Sequence, residues 1–176
     1  MSFEYTNAYI GPYCVSYAQG EAGQTQRFRL PLPVVSREHI QQGLMITEGD
    51  IRVVWAHRPD EAAVLGPGGS FVLDRPAIPL AIDAEVTLTA VRDCAFLCVT
   101  AVGIEQKVEL ERHTLSPSER VTAERYSLVS IAGENPVVRI NGGEPAQGVR
   151  LLYARNSEME IEAVTSAVVG KFFFAG

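Results

Sequence analysis

The chain is poor in the residues that build metal and redox sites. Its 176 residues include only 3 cysteines and 3 histidines. Cys94 and Cys98 lie in one strand-like run, where their Cα atoms would be roughly 13 Å apart, beyond the ~7 Å limit for a disulfide. The histidines, His39, His57 and His113, lack the spacing of metal ligands. We therefore expect free thiols, no metal and no cofactor.

Positive charge and long apolar runs are also scarce. Lys and Arg total 15 against 21 Asp and Glu, a net charge of -6, and the basic residues are scattered. Such a chain is a poor ligand for nucleic acid. No stretch approaches the ~18 apolar residues of a membrane span, and the N-terminus does not resemble a signal peptide. We expect no nucleic acid, no membrane and no secretion, and a location in a virion or in the cytoplasm.

Alternation of apolar and polar residues is abundant, and one alternating octamer occurs twice. Ala84–Val91 and Ser157–Val164 both end in Glu-x-apolar-x-apolar-x-Ala-Val. Period two is typical of a half-buried β-strand. The sequence therefore predicts an all-β protein in which a set of strands is duplicated.

Two further matches extend the repeat. Gln26–Leu30 alternates as Gln106–Leu110 does, and Leu44–Asp50 matches Leu128–Glu134, with a glycine at the same place in each copy. We divide the chain into an N-terminal arm and linker (1–25), a first β unit (26–104) and a second β unit (105–176). The units resemble β-sandwiches or jelly rolls. They could instead interleave as one jelly roll, but two units side by side with a shared core are favoured.

The chain ends carry the aromatic residues that most need partners. Four tyrosines recur every fourth residue in the arm, and three phenylalanines are consecutive near the C-terminus. An extended arm with a tyrosine face suits an edge strand on its own core or a clasp on another subunit. We predict a partner interface made of Tyr5, Tyr9, Tyr13, Tyr17, Phe172, Phe173 and Phe174.

Catalytic motifs are missing. There is no Gly-x-Ser-x-Gly elbow, and the cysteines lie in apolar runs that disfavour a thiolate. Glu158, Glu160 and Glu162 alternate along one strand, as on a solvated outer face. No catalytic residue is predicted, and we expect the protein not to be an enzyme.

At one stretch the chain resembles the cupin family. Leu65–Leu73 followed by Ile78–Leu80 is similar to the cupin arrangement of a glycine-bearing turn, a strand and a Pro-His pair. Leu80 stands where that resemblance would place a metal-binding histidine, and Ile51–His57 lacks the paired His-x-His with a following Glu. The resemblance therefore implies a cupin without the family's metal.

Two functions follow as expectations. The first is a structural subunit, similar in kind to the jelly-roll proteins that decorate or cement bacteriophage capsids, which would be a homo-oligomer on a larger protein lattice. The alternative is a metal-free cupin-like module that binds a small molecule or carbohydrate between the units. Its pocket would be lined by Trp55, His57, Phe71 and the first-unit insertion over residues 66–80.

Overall fold

The computed structural model describes residues 3–29, 42–56, 58–73, 85–101 and 108–174. In those ranges the chain forms strands and turns and no helix, so the all-β prediction is confirmed. None of the described residues form a helix that could cross a membrane. The strands are β1 (Glu4–Ile10), β2 (Tyr13–Gly20), β3 (Thr25–Arg29), β4 (Gln42–Glu48), β5 (Ile51–Trp55), β6 (Arg58–Leu65), β7 (Ser70–Leu73), β8 (Glu85–Ala90), β9 (Cys94–Ala101), β10 (Val108–Leu115), β11 (Arg120–Ala123), β12 (Leu128–Ala132), β13 (Val137–Ile140), β14 (Ala146–Gln147), β15 (Arg150–Tyr153), β16 (Met159–Ala163) and β17 (Ala167–Phe174).

The strands make four antiparallel sheets. Sheet A has the order β1-β2-β9-β4-β7, sheet B β3-β8-β5-β6, sheet C β10-β17-β12-β15 and sheet D β11-β16-β13-β14. Sheets A and B share one apolar core, sheets C and D share another, and a third core lies between sheets A and C. The layers therefore follow the order B, A, C, D, with two sandwiches packed side by side.

The sheet orders show the duplication. Strands β2 to β9 occupy the same places in sheets A and B as β10 to β17 do in sheets C and D, and β1 is an additional edge strand. The two octamers become β8 and β16, each between the equivalents of β3 and β5. Gly49 and Gly133 both have positive φ, at 68° and 135°, in the turn after the matched strands β4 and β12. The predicted duplicated units are confirmed.

One of the sequence matches is wrong. The sequence pattern matches Gln26–Leu30 with Gln106–Leu110, but β3 lies in sheet B beside β8, whereas β10 lies in sheet C beside β17. By position the partner of β3 is β11 (Arg120–Ala123). Alternation could not identify the equivalent strand, because every half-buried strand alternates. The pattern predicts a strand but not its place in the sheet.

The N-terminal arm is a hairpin on its own unit. Antiparallel pairing joins β1 to β2 and β2 to β9, so residues 4–20 are two strands of sheet A. Of the two readings of the arm, the edge strand on its own core is the one the structure has. The predicted boundary after residue 25 falls inside β3, and the boundary after residue 104 lies outside the described residues.

The core between sheets A and C is tightly packed over much of its area. Gly170 in β17 faces Met45 in β4, and a Cβ atom at position 170 would overlap the Met45 sulfur. Gly68, in the turn before β7, has φ of 82° and packs in the same way against Val168. Glycine is needed at both positions because the two sandwiches approach more closely than any side chain permits.

Candidate functional site

The predicted pocket around Trp55 is described only in part. Trp55 ends β5 and packs, partly buried, against the core of sheets A and B. His57 and residues 74–80 of the insertion lie outside the described residues. Phe71 pairs with Leu44 through the backbone of β7, and its side chain is likewise outside the described set. These residues remain a prediction.

The predicted partner interface does not form one surface. The register of the hairpin sets Tyr9 opposite Cys14 and Ile10 opposite Tyr13. Residues opposite each other share a face of the sheet, so the tyrosines of β1 face the other way from Tyr13 and Tyr17 of β2. A single tyrosine face is wrong because the chain reverses at residues 11 and 12.

Two of the predicted interface residues are core residues. Tyr13 and Phe172 are each 0% exposed, between sheets A and C. The Tyr13 hydroxyl shares its proton between the carbonyl oxygens of Tyr126 at 2.7 Å and Phe172 at 3.1 Å, and burial raises the pKa of this phenol. Its ring stacks on Phe174 at 4.8 Å. These aromatic side chains join the two sandwiches of one chain and are not free to bind a partner.

The other predicted interface residues are more exposed. Tyr9 is 76% exposed and Tyr5 37%, and Phe173 lies half-buried with its ring centre 5.8 Å from the Lys171 ammonium. Contact of these residues with a second protein, and the homo-oligomer, stay predictions.

A groove of about 320 Å³ opens where sheet C stops short of the edge of sheet A. One wall is sheet A, and the other is Val149 with the first two residues of β15, Arg150 and Leu151. Register explains the first wall, because Thr6, Tyr17, Leu97 and Met45 stand in one row across β1, β2, β9 and β4. The lining residues are Thr6, Ala8, Ile10, Val15, Tyr17, Thr47, Glu48, Leu97, Val149, Arg150 and Leu151.

A β-bulge places the polar groups of this groove. The register of β4 against β9 shifts between Ile46 and Glu48, so Thr47 has no opposite residue on β9. A bulge re-aims the side chains beside it, and both Thr47 and Glu48 line the groove. Thr47 is 0% exposed, and its hydroxyl has no hydrogen-bond partner among the described residues. Leaving a buried hydroxyl unpaired costs about 1–3 kcal/mol.

Sequence reasoning missed this bulge, because the two copies were matched at one fixed spacing from Leu44 to Asp50, which hides an extra residue. Ile131 packs in the core of sheets C and D as Ile46 packs in the core of sheets A and B, and β12 pairs with β17 without a bulge, so Thr47 is an extra residue with no counterpart in β12. Ala132, which follows Ile131 and stands where the first copy has Glu48, is apolar and fully buried. The polar pair is therefore specific to the first copy, in a strand whose other inward residues are apolar.

Two charges of opposite sign lie on the opposite walls of the groove. Glu48 is on sheet A and Arg150 is on β15. Tyr17 also lines the groove, and burial together with the charge of Glu48 raises the pKa of its phenol. The phenol is neutral at pH 7 and can donate a hydrogen bond.

Glu48 also borders an acidic depression of about 300 Å³ at the end of sheet A. Its other acidic residues are Glu4, Glu21 and Asp93. The negative charge of this depression reinforces that of Glu48, so the end of the groove near Glu48 favours a cation.

The second sandwich holds a separate charged cluster around Lys171. This side chain is 7% exposed, and its ammonium lies 3.2 Å from Glu111 and 3.0 Å from Glu124. Burial alone would lower the pKa of Lys171, but the hydrogen bonds to Glu124 and Glu111 outweigh it, so the pKa is raised. The Nε2 atom of His113 is buried 2.7 Å from a Glu111 oxygen, in an orientation that makes no hydrogen bond. The cluster ties β10, β17 and the end of β11 together.

The described residues do not fit the metal that many cupins hold. No three His, Cys, Asp or Glu side chains among them are placed to bind an ion. In the Lys171 cluster the ammonium already occupies the place between the two carboxylates that a metal ion would need. The three cysteines are free thiols. Burial, with a smaller contribution from Cys14, raises the pKa of Cys98 to about 12, which disfavours thiolate chemistry.

No protein-family model and no curated protein matches the chain. Solved structures do. HutD from Pseudomonas fluorescens SBW25 is similar over 94% of this chain and 80% of its own, with a TM-score of 0.58 and 11% identity. A cupin 2 conserved barrel domain protein from Leptotrichia buccalis is similar over 99% of this chain and 89% of its own, with a TM-score of 0.54 and 7% identity. The chain has a cupin-like fold.

A third solved structure corrects one expectation. Salicylate 1,2-dioxygenase from Pseudaminobacter salicylatoxidans is similar over 97% of this chain and 76% of its own, with a TM-score of 0.53 and 9% identity. The prediction that the protein is not an enzyme is wrong as drawn, because its fold is also that of an enzyme. Missing motifs were weak grounds, since side chains that meet in a fold can be far apart in sequence. At 9% identity the likeness concerns the fold and carries no reaction or substrate to this chain.

The expected kinship with bacteriophage decoration proteins has no support. The three similar structures described above are HutD, a cupin barrel protein and a dioxygenase, and none of these three is a component of a virus particle by name. The cupin-like alternative is the reading that these structures favour.

Proposed function

We propose that the protein binds a small molecule in the groove between sheet A and β15. The observation that carries the proposal is the Thr47 hydroxyl, which is buried beside a cavity of about 320 Å³ and has no partner among the described residues. A volume of this size is at the lower end for small-molecule sites. A ligand atom that hydrogen-bonds to Thr47 would remove the cost of that unpaired group.

The lining supports a ligand with an apolar body. Ala8, Ile10, Val15, Leu97 and Leu151 supply an apolar surface that a ligand would cover. Covering apolar surface contributes about 25 cal/mol per Å². The few polar groups, Thr47 and the Tyr17 phenol among them, can then orient the ligand. This combination of an apolar body and a few polar groups is the usual design of a binding site.

The predicted pocket and this groove differ in place. The sequence placed the ligand between the units beside Trp55 and the insertion, whereas the groove lies between the units beside β1 and β15. The proposed site still lies between the two units, but it is lined by residues other than those that the sequence predicted.

A screen of metabolite-sized compounds by thermal shift, followed by calorimetry, tests the proposal. Ala8→Trp should fill the groove and weaken a binding compound by about tenfold or more. Ala62→Trp is the matched control, because Ala62 is an exposed strand residue on sheet B. We expect the control to bind as the parent protein does.

Thr47→Val keeps the shape of the side chain and removes its hydroxyl. We expect this variant to lose about tenfold in affinity for the same compound. Thr122→Val, at an exposed position in β11, is its control. The proposal is overturned if no compound binds, or if the compounds that bind have the same affinity for both groove variants as for the parent protein.

A further inference from the structure

The charges of the groove come from different sandwiches. Glu48 follows the bulge in β4 of sheet A, and Arg150 begins β15 of sheet C. Each lines the groove from its own wall, and most of the other lining residues are apolar. The groove therefore has one negative wall, one positive wall and a mostly apolar lining.

Neither charge is neutralised by the described part of the chain. Glu48 and Arg150 are not ion-paired with each other, and among the described residues neither forms another ion pair or a side-chain hydrogen bond. Elsewhere on the surface such charges do pair, as Arg92 does with Asp50 and Arg120 with Glu162 at 2.7 Å. The two groove charges are left available to a ligand that carries the complementary pair.

We infer that the ligand of the groove is a zwitterion with an apolar body, of the class of α-amino acids with an apolar side chain. The inference rests on the proposed function of the groove. The ligand ammonium would lie toward Glu48, its carboxylate toward Arg150, and its side chain over Ala8, Val15 and Leu97. Charge-assisted hydrogen bonds of this kind are stronger than neutral ones, and the Arg fork suits a carboxylate.

Ligands with one charge fit this groove less well. A simple carboxylic acid would pair with Arg150 and leave Glu48 unpaired. A simple amine would pair with Glu48 and leave Arg150 unpaired. Electrostatic complementarity of this type determines selectivity more than affinity, so the test compares related ligands.

Calorimetry with three probes tests the inference. The probes are L-phenylalanine, N-acetyl-L-phenylalanine, which lacks the ammonium, and L-phenylalaninamide, which lacks the carboxylate. They share one side chain and differ in charge. We expect L-phenylalanine to bind at least about tenfold more tightly than either derivative, because each derivative loses one charged hydrogen bond.

Variants that remove one charge show which wall of the groove binds which charged group of the ligand. Glu48→Gln should weaken phenylalanine and the amide but leave the N-acetyl compound unchanged, whereas Arg150→Gln should weaken phenylalanine and the N-acetyl compound but leave the amide unchanged. Glu144→Gln and Arg155→Gln, at exposed positions outside the groove, are the matched controls. Both groove positions are exposed, so we expect the variants to fold.

The outcomes separate the two proposals. If the derivatives bind as well as phenylalanine, or if the variants fail to discriminate among the probes, the zwitterion is overturned. If the screen finds compounds that Ala8→Trp displaces and none is a zwitterion, the inference fails and the groove stands as a binding site. If no compound binds at all, both proposals fail.

Discussion

The layer between sheets A and C is closed at one side and open at the other, although β2, β4 and β9 run through both sides. On the closed side Tyr13, Met45 and Phe172 are fully buried, and Gly170 lets the sheets touch. On the open side β1 extends sheet A past the edge strand β15, and the groove results. The added strand β1 has no counterpart in sheet C. A nearly symmetric duplication thus acquires a cavity where the two copies differ in strand number.

Phe172→Ala would damage the closed side most. Its ring is 0% exposed in the shared core, and truncating such a residue costs about 3–5 kcal/mol. Chemical denaturation would measure the loss. Tyr9→Ala, at a residue 76% exposed, is the control and should change stability by less than about 0.5 kcal/mol. Similar losses for the two variants would mean that the layer between the sheets is not a packed core.

Tyr13→Phe tests whether the hydrogen bonds of the closed side matter as well as its packing. The change leaves the carbonyl oxygens of Tyr126 and Phe172 without the hydroxyl, which should cost about 1–2 kcal/mol. Tyr153→Phe, at the neighbouring half-buried ring, should cost clearly less. Equal melting temperatures for Tyr13→Phe and the parent would contradict the role of that hydroxyl.

Lys171 lies between Gly170 and Phe172 but faces the second sandwich, so its variant tests that sandwich separately. The raised pKa of Lys171 means that its contribution is full below the unfolded value, 10.5, and is lost as pH rises through the folded value. The lowered pKa of Glu124, caused first by a backbone hydrogen bond and then by Lys171, means that its contribution is full above 4.5 and lost as pH falls through the folded value.

Lys171→Met should therefore reduce the pH dependence of the unfolding free energy at both extremes. Because both carboxylates are largely exposed, we expect the part that depends on pH to be no more than about 1 kcal/mol. Denaturation curves at several pH values would measure it, with Arg155→Met as the control. Parallel pH profiles for Lys171→Met and the parent would contradict the ion pairs.

Among these variants, Thr47→Val should change stability least, and it should stabilise the protein where the others destabilise it. On the open side the hydroxyl is buried and unpaired, so its removal should stabilise the free protein by a few tenths of a kcal/mol to about 1 kcal/mol. The same variant should bind the groove ligand more weakly. A clear loss of stability would show that the hydroxyl has a partner in the free protein and would weaken the case for the site.

The sequence could predict the strands and their duplication because alternation and turn glycines are local properties. The octamers became β8 and β16, and Gly49 and Gly133 became equivalent turns. The groove could not be read in this way. Glu48 and Arg150 are about a hundred positions apart in the chain, and no spacing rule connects them. Even the bulge at Thr47 was hidden, because the two copies were matched at one fixed spacing.

The aromatic chain ends show the same limit. Four evenly spaced tyrosines predicted one face, but the reversal at residues 11 and 12 sends them to two faces. The consecutive phenylalanines required cover on both sides of a strand, and the two sandwiches of the same chain supply much of it, burying Phe172 completely. The hydrophobic effect favours burial of an apolar residue but is not directional, so the sequence does not show which surface covers that residue.

The sequence by itself determined the class of fold, the repeat and the poverty of metal ligands, because these depend on composition and on patterns within a few residues. Tertiary structure decided which strands are equivalent, which aromatic residues join the sandwiches and where a groove remains. Those depend on sheet order and register, and an extra strand or a shift of one residue changes which side chains meet.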